Sequence, residues 1–405
     1  MIEIQNVTTL DGEVKTLHLE SSTRHVIDAK GLLLFPALID PHVHFRTPGL
    51  EHKENWISGA RAAIHGGITT VFDMPNTLPS TITKMRLDEK YSLIDQQLKM
   101  AQIPLRYRLF LGADKNHFQE IARCRDQIIG LKIFMGSSTG DLLMDDESSL
   151  HAAFSLAHKF DLLVAVHAED EEEIQKRKSA CQDFSSVHVH SEIRHRRAAW
   201  IATKKAIELA KLYKTRLYLL HISTKEELEL IEAAKEEGLN VFAETTPHHL
   251  FLTEKDYAVW GTKVQMNPPL RAQEDTIALW EGIKKGVIDC IGSDHAPHTL
   301  EEKAKEYGKA PSGIPGVETT LPLLLNAASL GKITLPRIIE LMKTNIETIF
   351  RLPKNDDLLL IDIDRIKSVE ERELKTKCGW SPYAGKSLKG WPTHVIMKGH
   401  LYALS

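Results

Sequence analysis

The feature that most constrains the fold is an alternation that begins near residue 32 and repeats eight times. Short apolar runs, LLLFPALI, TTVFDM, RYRLFL, GLKIFM, DLLVAVH, TRLYLLH, NVFAETT and VIDCIG, fall near residues 32, 69, 106, 130, 161, 215, 240 and 287. Between them lie longer stretches such as KENWISGARAAIHGG, SSLHAAFSLAHKF, RRAAWIATKKAIELAKLY and TKEELELIEAAKEEG. Their apolar residues recur every three or four positions and they often close on glycine, which predicts amphipathic helices. Strand and helix in alternation imply parallel βα units, and eight of them predict an α/β chain folded as a (β/α)8 TIM-type barrel with the helices outside. Residues 1–34 and 355–405 read differently, alternating like exposed strands, with a DG turn signal early and LLLIDID and THVIMKGHLYAL late. The two ends are expected to pair as a small β domain beside a catalytic barrel spanning 35–354.

Composition narrows the function. The chain is 42% hydrophobic and 26% charged with a formal net charge of −4 and no long run of one sign, which gives no footing for nucleic acid. The N-terminus lacks a basic segment followed by an apolar core, and no run of about 18 apolar residues occurs, so no membrane span and a cytoplasmic location are expected. Cys124, Cys181, Cys290 and Cys378 are scattered without a CxxC pair, and read as free thiols rather than a disulfide framework or a thiolate zinc site.

Polar residues fall where a barrel does chemistry, at the C-terminal ends of its strands. In LIDPHVHFRTPG, His42 and His44 are spaced by one residue and would project from the same side of a strand. Lys132 lies in the fourth run, His167 and His221 end the fifth and sixth, and Asp294 follows the eighth. A single strand-end histidine is more often a hydrogen-bonded structural group. Four, with an aspartate and a buried lysine at equivalent positions, call for a compensating cation. Nitrogen and carboxylate donors suit zinc, with manganese, cobalt or iron as alternatives. Lys132 cannot ligate as an ammonium. Kept neutral by burial it could take up CO2 as a carbamate and bridge two ions, whereas a buried pair with Asp294 or Glu169, or a Schiff base, are the other readings.

At this level of detail the chain resembles the amidohydrolase superfamily and, within it, the dihydroorotases, cyclic amidohydrolases of pyrimidine biosynthesis. The resemblance spans about residues 31–395 and is densest in DPHVHFRTPG, GGITTVFDMPNT, GLKIFMGSSTG, VHAED, LLHIS, ETTPHHL, NPPLR, GSDHAPHTLEEK, GIPGVET and CGWSPYAGK. It implies two divalent ions, most often zinc. His42, His44 and Asp294 would hold one, His167 and His221 the other, and the Lys132 carbamate would bridge them. Asp294 would take the proton of the bridging hydroxide as it attacks the ring amide and pass it to the leaving nitrogen. Substrate contacts implied by the resemblance are His44, Arg46, Asn76, Asn267, His298 and backbone groups near Ser312 and Gly313. Arg46 would grip a carboxylate bidentately, with a salt bridge to Glu51 or Glu54 as its structural alternative. A small-molecule substrate and a homodimer complete what the resemblance implies.

The chain departs from the family pattern at Thr47-Pro48-Gly49, where Asp-Pro-Gly is usual, and at Asn345-Ile346-Glu347 and NDDLLLIDID. Allantoinases and hydantoinases share the barrel, the ligands and the carbamate but not the carboxylate grip, and form the competing enzyme reading. A non-catalytic assembly subunit of the same superfamily would be expected to have lost ligands, and all six positions are occupied here. His248 and His249 read as structural, while His188, His190 and the RHRR run at 194–197 read as solvated groups. The segment YGKAPSGIPG, 307–316, reads as a loop that either covers substrate or merely connects.

Overall fold

The computed structural model describes residues 1–138 and 142–404. Its first strands, β1 (Ile2–Thr8), β2 (Val14–Leu19), β3 (His25–Asp28) and β4 (Leu33–Pro36), belong to one sheet. Eight parallel strands follow as a second sheet in strict chain order: β5 (Leu38–Val43), β6 (Ile68–Asp73), β7 (Arg106–Gly112), β8 (Gly130–Phe134), β9 (Leu163–His167), β10 (Arg216–Leu219), β11 (Val241–Thr245) and β12 (Cys290–Ile291). The chain then returns to the first sheet with β13 (Leu358–Ser368), β14 (Ser387–Met397) and β15 (His400–Ala403).

The eight-stranded sheet curls into a nearly closed barrel. The seam between β12 and β5 is bridged by a parallel pairing of Val43 with His295, and the His44 amide donates to His295 O at 2.8 Å. The predicted helices form the outer ring. Asn55 caps the helix Trp56–His65 by accepting from Ile57 and Ser58, and a Thr224–Glu227 capping box starts Lys225–Glu236, so polar residues just before each apolar stripe satisfy the orphan first-turn amides. Burial on both faces explains the continuous apolar runs: Leu131, Ile133, Val164 and Val166 pack outward against helices, while Ile39, Phe72, Phe110, Leu163 and Tyr218 fill the interior. Phe350 closes the barrel floor, its ring 4.9 Å from Phe72 and 5.0 Å from Tyr218 in edge-on contacts. Everything polar inside the barrel is thereby pushed to the opposite end.

One predicted strand divides. LLLFPALI supplies two strands, because Leu33–Pro36 pairs with β13 in the small sheet while only Leu38–Val43 enters the barrel. The small sheet runs β15-β14-β13-β4-β1-β2 with β3 on β1, and the DG turn joins antiparallel β1 and β2. The segment between β13 and β14 reaches back to the barrel mouth, where Trp380 Nε1 donates to His298 O at 2.8 Å and the Lys377 amide donates to Glu54 at 3.2 Å. Cys124 and Cys290 are buried, Cys181 and Cys378 half-buried, and all four are free thiols. Among the described residues no helix is long and apolar enough to cross a membrane.

Candidate active site

Strand pleat aims the key side chains inward. With Leu131, Ile133, Val164 and Val166 facing the helices, Lys132, Phe134 and His167 must face the barrel axis. They meet the ends of neighbouring strands in a cavity of about 380 Å³ lined by His42, His44, Arg46, Asn76, Lys132, His167, His221, Asn267, Asp294, Ser312 and Gly313, with Phe134, Ser138 and Ala296. The structure thus brings together every residue singled out from sequence except His298, which sits behind Arg46. The final Thr139 and Gly140 of the GLKIFMGSSTG motif lie outside the described residues. Arg46, His221 and Asp294 take left-handed backbone angles (φ 64°, 39° and 45°), a conformation that costs each roughly 1–3 kcal/mol and persists where the surroundings enforce it.

Two groups of metal-competent atoms face this cavity. His42 Nε2 and His44 Nε2 approach Asp294 Oδ1 at 3.3 and 3.1 Å, and one ligand atom from each of these three residues lies within 4.8 Å of the others. The outer nitrogens fix the rings: His42 Nδ1 donates to Glu244 Oε1 and His44 Nδ1 donates to Asn76 Oδ1, both at 2.8 Å, which leaves each Nε2 lone pair facing inward. Opposite them His167 Nδ1 and His221 Nε2 face each other at 2.9 Å. His167 Nε2 lies 2.9 Å from Glu169, and Arg194 holds that carboxylate with Nε at 3.0 Å and Nη2 at 2.6 Å. Convergent imidazole nitrogens and a carboxylate, with His42, His44 and His167 each backed by an acceptor, are the donor set of a divalent transition-metal site.

Burial sets the protonation states. It depresses His167 and drives His221 well below the ordinary imidazole value, with His167 adding to the effect at His221, so both present lone pairs. It also lowers His44 to about 3, against the pull of Asp294. At Asp294 burial alone would favour the acid, but His42, His44 and His221 outweigh it and hold the carboxyl well below its usual range. Desolvation brings Lys132 down to about 7, opposed by Asp294 and Glu244, and its Nζ sits 4.4 Å from the Phe134 ring centroid. No carboxylate of the described residues lies within 4 Å of it, which removes the buried-pair reading.

Arg46 is 2% exposed. Its Nε donates to Pro297 O at 3.2 Å, and Nη2 lies 3.1 Å from His298 Nε2. It makes no ion pair among the described residues; Glu54 instead engages His295, and the Glu51 carboxylate accepts from the Gly49 amide. Burial lowers this guanidinium to about 10. Lys53 and Lys303 are both buried on this side, and Lys303 Nζ donates to Gln265 O and Pro311 O, which pins the 307–316 loop beside the cavity. Gly313 in that loop has φ 134°, and a Cβ there would lie 2.5 Å from Ala296 O.

Two expectations are corrected. His190 is buried: its Nε2 donates to Met266 O and Asn267 Oδ1, both at 3.0 Å, and its Nδ1 accepts from Tyr307 at 3.1 Å. Arg194 likewise is no solvated helix-start group, since it carries Glu169. Exposed His188 keeps its expected place. Of the residues behind the site, Glu244 and Lys53 are not singled out from sequence, Glu169 enters there only as a partner of Lys132, and Arg194 only as a solvated group. A signal existed for two of them: Glu169 lies two positions beyond a strand-end histidine, and Glu244 is an acid inside an otherwise apolar strand.

Comparison with known proteins agrees with this geometry. The chain belongs to the amidohydrolase family, whose model matches residues 33–348. It is 34% identical to the dihydroorotase of Methanosphaera stadtmanae over 412 residues, covering 99% of this chain and 92% of that one. The dihydroorotase of Pyrococcus furiosus is 38% identical over 402 residues, with 96% and 87% covered. Among solved structures, the L-hydantoinase (dihydropyrimidinase) from Arthrobacter aurescens superposes with a TM-score of 0.90 at 28% identity, covering 99% of this chain and 96% of that one.

Proposed function

We propose that this chain is a dihydroorotase. It opens the ring of L-dihydroorotate at the cyclic amide C–N bond to give N-carbamoyl-L-aspartate, and closes that ring with loss of water in the reverse, biosynthetic direction. The observation that carries the substrate is Arg46, a buried guanidinium lining the cavity that makes no ion pair with a carboxylate of the described residues. A buried cation without a partner is expensive, and an anionic substrate supplies that partner bidentately. Hydantoin and allantoin carry no carboxylate. The fold likeness to hydantoinases therefore supports the reaction class, and Arg46 favours the charged ring.

His42, His44 and Asp294 would hold one divalent ion and His167 and His221 a second, zinc foremost, with Lys132 as its carbamate serving both. Such ions polarise a carbonyl and let water ionise near neutral pH. The lone pairs already turned inward by Glu244, Asn76 and Glu169 fit that cargo. Lys132, neutral above about pH 7, attacks CO2 and releases one proton in forming the carbamate. Ionised Asp294 accepts the proton of the attacking water and returns it to the ring nitrogen as the C–N bond breaks. Asn76, Asn267, Ser312 and Gly313 frame the ring, with Arg46 on its carboxylate and His298 behind Arg46.

A cytoplasmic homodimer belongs to the same proposal, supported by the resemblance and by exposed apolar side chains on outer helices such as Met85, Trp200 and Leu212; light scattering tests the dimer. For the activity, the test is turnover of metal-reconstituted protein, supplied with bicarbonate, on L-dihydroorotate, hydantoin and allantoin. Selective opening of L-dihydroorotate is expected. Activity confined to the uncharged rings would overturn the substrate, and silence on all three with metals bound would favour a non-catalytic subunit.

A further inference from the structure

Hydrogen-bond donors crowd the imidazole of His298. Arg46 Nη2 lies 3.1 Å from its Nε2, and Ser312 O lies 3.0 Å from the same nitrogen. On the other side Lys53 Nζ is 3.1 Å from Nδ1, while Glu302 Oε2 is 3.6 Å away, beyond hydrogen-bonding range. Lys53 is itself held by Glu302 Oε1 at 3.1 Å. The ring has no room to swing aside: it is fully buried, Trp380 grips its backbone carbonyl, and a Cβ on Gly313 would come within 3.1 Å of Nε2.

A neutral imidazole has one N–H and one lone pair, and an ammonium has only hydrogens to give. Facing Lys53, Nδ1 must therefore be the acceptor and Nε2 must carry the proton, which it donates to Ser312 O. In that tautomer Nε2 has nothing to offer Arg46, so the guanidinium Nη2 faces another donor. The opposite tautomer would set an N–H against the ammonium and let His298 occupy Arg46. The first arrangement spends the one N–H of His298 on Ser312 O and leaves the Arg46 Nη2 donor without an acceptor on the ring, free to turn to a carboxylate in the cavity.

We infer that Lys53 sets the tautomer of His298 and so reserves the Arg46 guanidinium for the substrate carboxylate, which makes Lys53 a positioning residue for substrate selection. The identity of the anion rests on the dihydroorotase reading; the tautomer does not. Here the support for Arg46 is neutral, a carbonyl and an imidazole, and the cation two atoms further back controls it.

The test uses full-length, metal-loaded protein, three variants at Lys53 and H298N for signal assignment. Long-range 1H–15N spectra of histidine-labelled protein, with the His298 signal assigned from H298N, should show wild-type Nε2 protonated and Nδ1 bare, and K53M should reverse this. In steady state K53M should raise KM for L-dihydroorotate roughly 10- to 100-fold, the loss of one charge-assisted hydrogen bond, with kcat little changed. K53R, and K53Q whose amide N–H donates without charge, should keep both the tautomer and KM near wild type. Nδ1 protonation in the wild type overturns the inference, as does a K53Q defect equal to that of K53M, which would mean that charge alone matters. Wild-type silence on L-dihydroorotate would sink the functional reading instead, and the spectra would still decide the tautomer.

Discussion

Replacing Arg46 with methionine should separate substrate selection from both chemistry and folding. The guanidinium is 2% exposed, and its held contacts are to a backbone carbonyl and an imidazole rather than a carboxylate. Its drop to about 10 comes first from desolvation. Against an ordinary value near 12.5 that corresponds to a burial penalty on the order of 3 kcal/mol while the group is charged. A cation whose folded value is lowered weakens the free protein, so Arg46→Met should hold or raise the unfolding midpoint at neutral pH. Binding tells the opposite story. Removing one partner of a buried charge pair costs about 2–5 kcal/mol, or roughly 30- to 5,000-fold in kcat/KM for L-dihydroorotate. Dihydrouracil, the same ring without the carboxylate, should lose little. Steady-state rates on both rings beside a thermal melt decide the matter: an equal loss on the two substrates, or a melting point several degrees lower, would refute a carboxylate grip by an otherwise unpaired cation.

Three further outcomes follow from the neighbourhood of the site. Asp73 and Lys90 form a fully buried ion pair at 2.6 Å beneath β6, so Lys90→Met should destabilise the fold by about 3–5 kcal/mol in denaturant titrations, whereas a change below about 1 kcal/mol would mean that the carboxylate finds another partner. Glu169→Gln should weaken metal retention about 10- to 100-fold in chelator competition by loosening His167, and unchanged retention would contradict the assignment of His167 as a ligand. Native mass spectra in bicarbonate should show one added CO2 that grows as pH rises through about 7, where Lys132 becomes neutral, and that vanishes in Lys132→Met; a pH-independent adduct would place the CO2 elsewhere.

Much of this was legible in the sequence because two periodicities carry it. Strands buried on both faces must be continuously apolar, so eight such runs marked the barrel, and the polar residue ending each run had to lie at its mouth. The misreadings have physical causes as well. LLLFPALI looks like one strand because both sheets bury it, and only the change of pairing partner between Pro36 and Leu38 reveals two. His190 and Arg194 look solvated because their sequence neighbours are polar, yet the short helix Val189–Ile193 turns them under the mouth to meet Asn267 and Glu169. His298 was expected at the substrate, and its place one layer back depends on Gly313 and Trp380, residues far from it in the chain whose approach no local pattern encodes.

A structure of the metal-loaded protein with L-dihydroorotate bound tests the carboxylate grip at its source. The substrate carboxylate should lie within about 3 Å of the Arg46 guanidinium while the scissile ring amide faces Asp294. A carboxylate held elsewhere, with Arg46 still against Pro297 O and His298, would contradict a substrate role for this guanidinium.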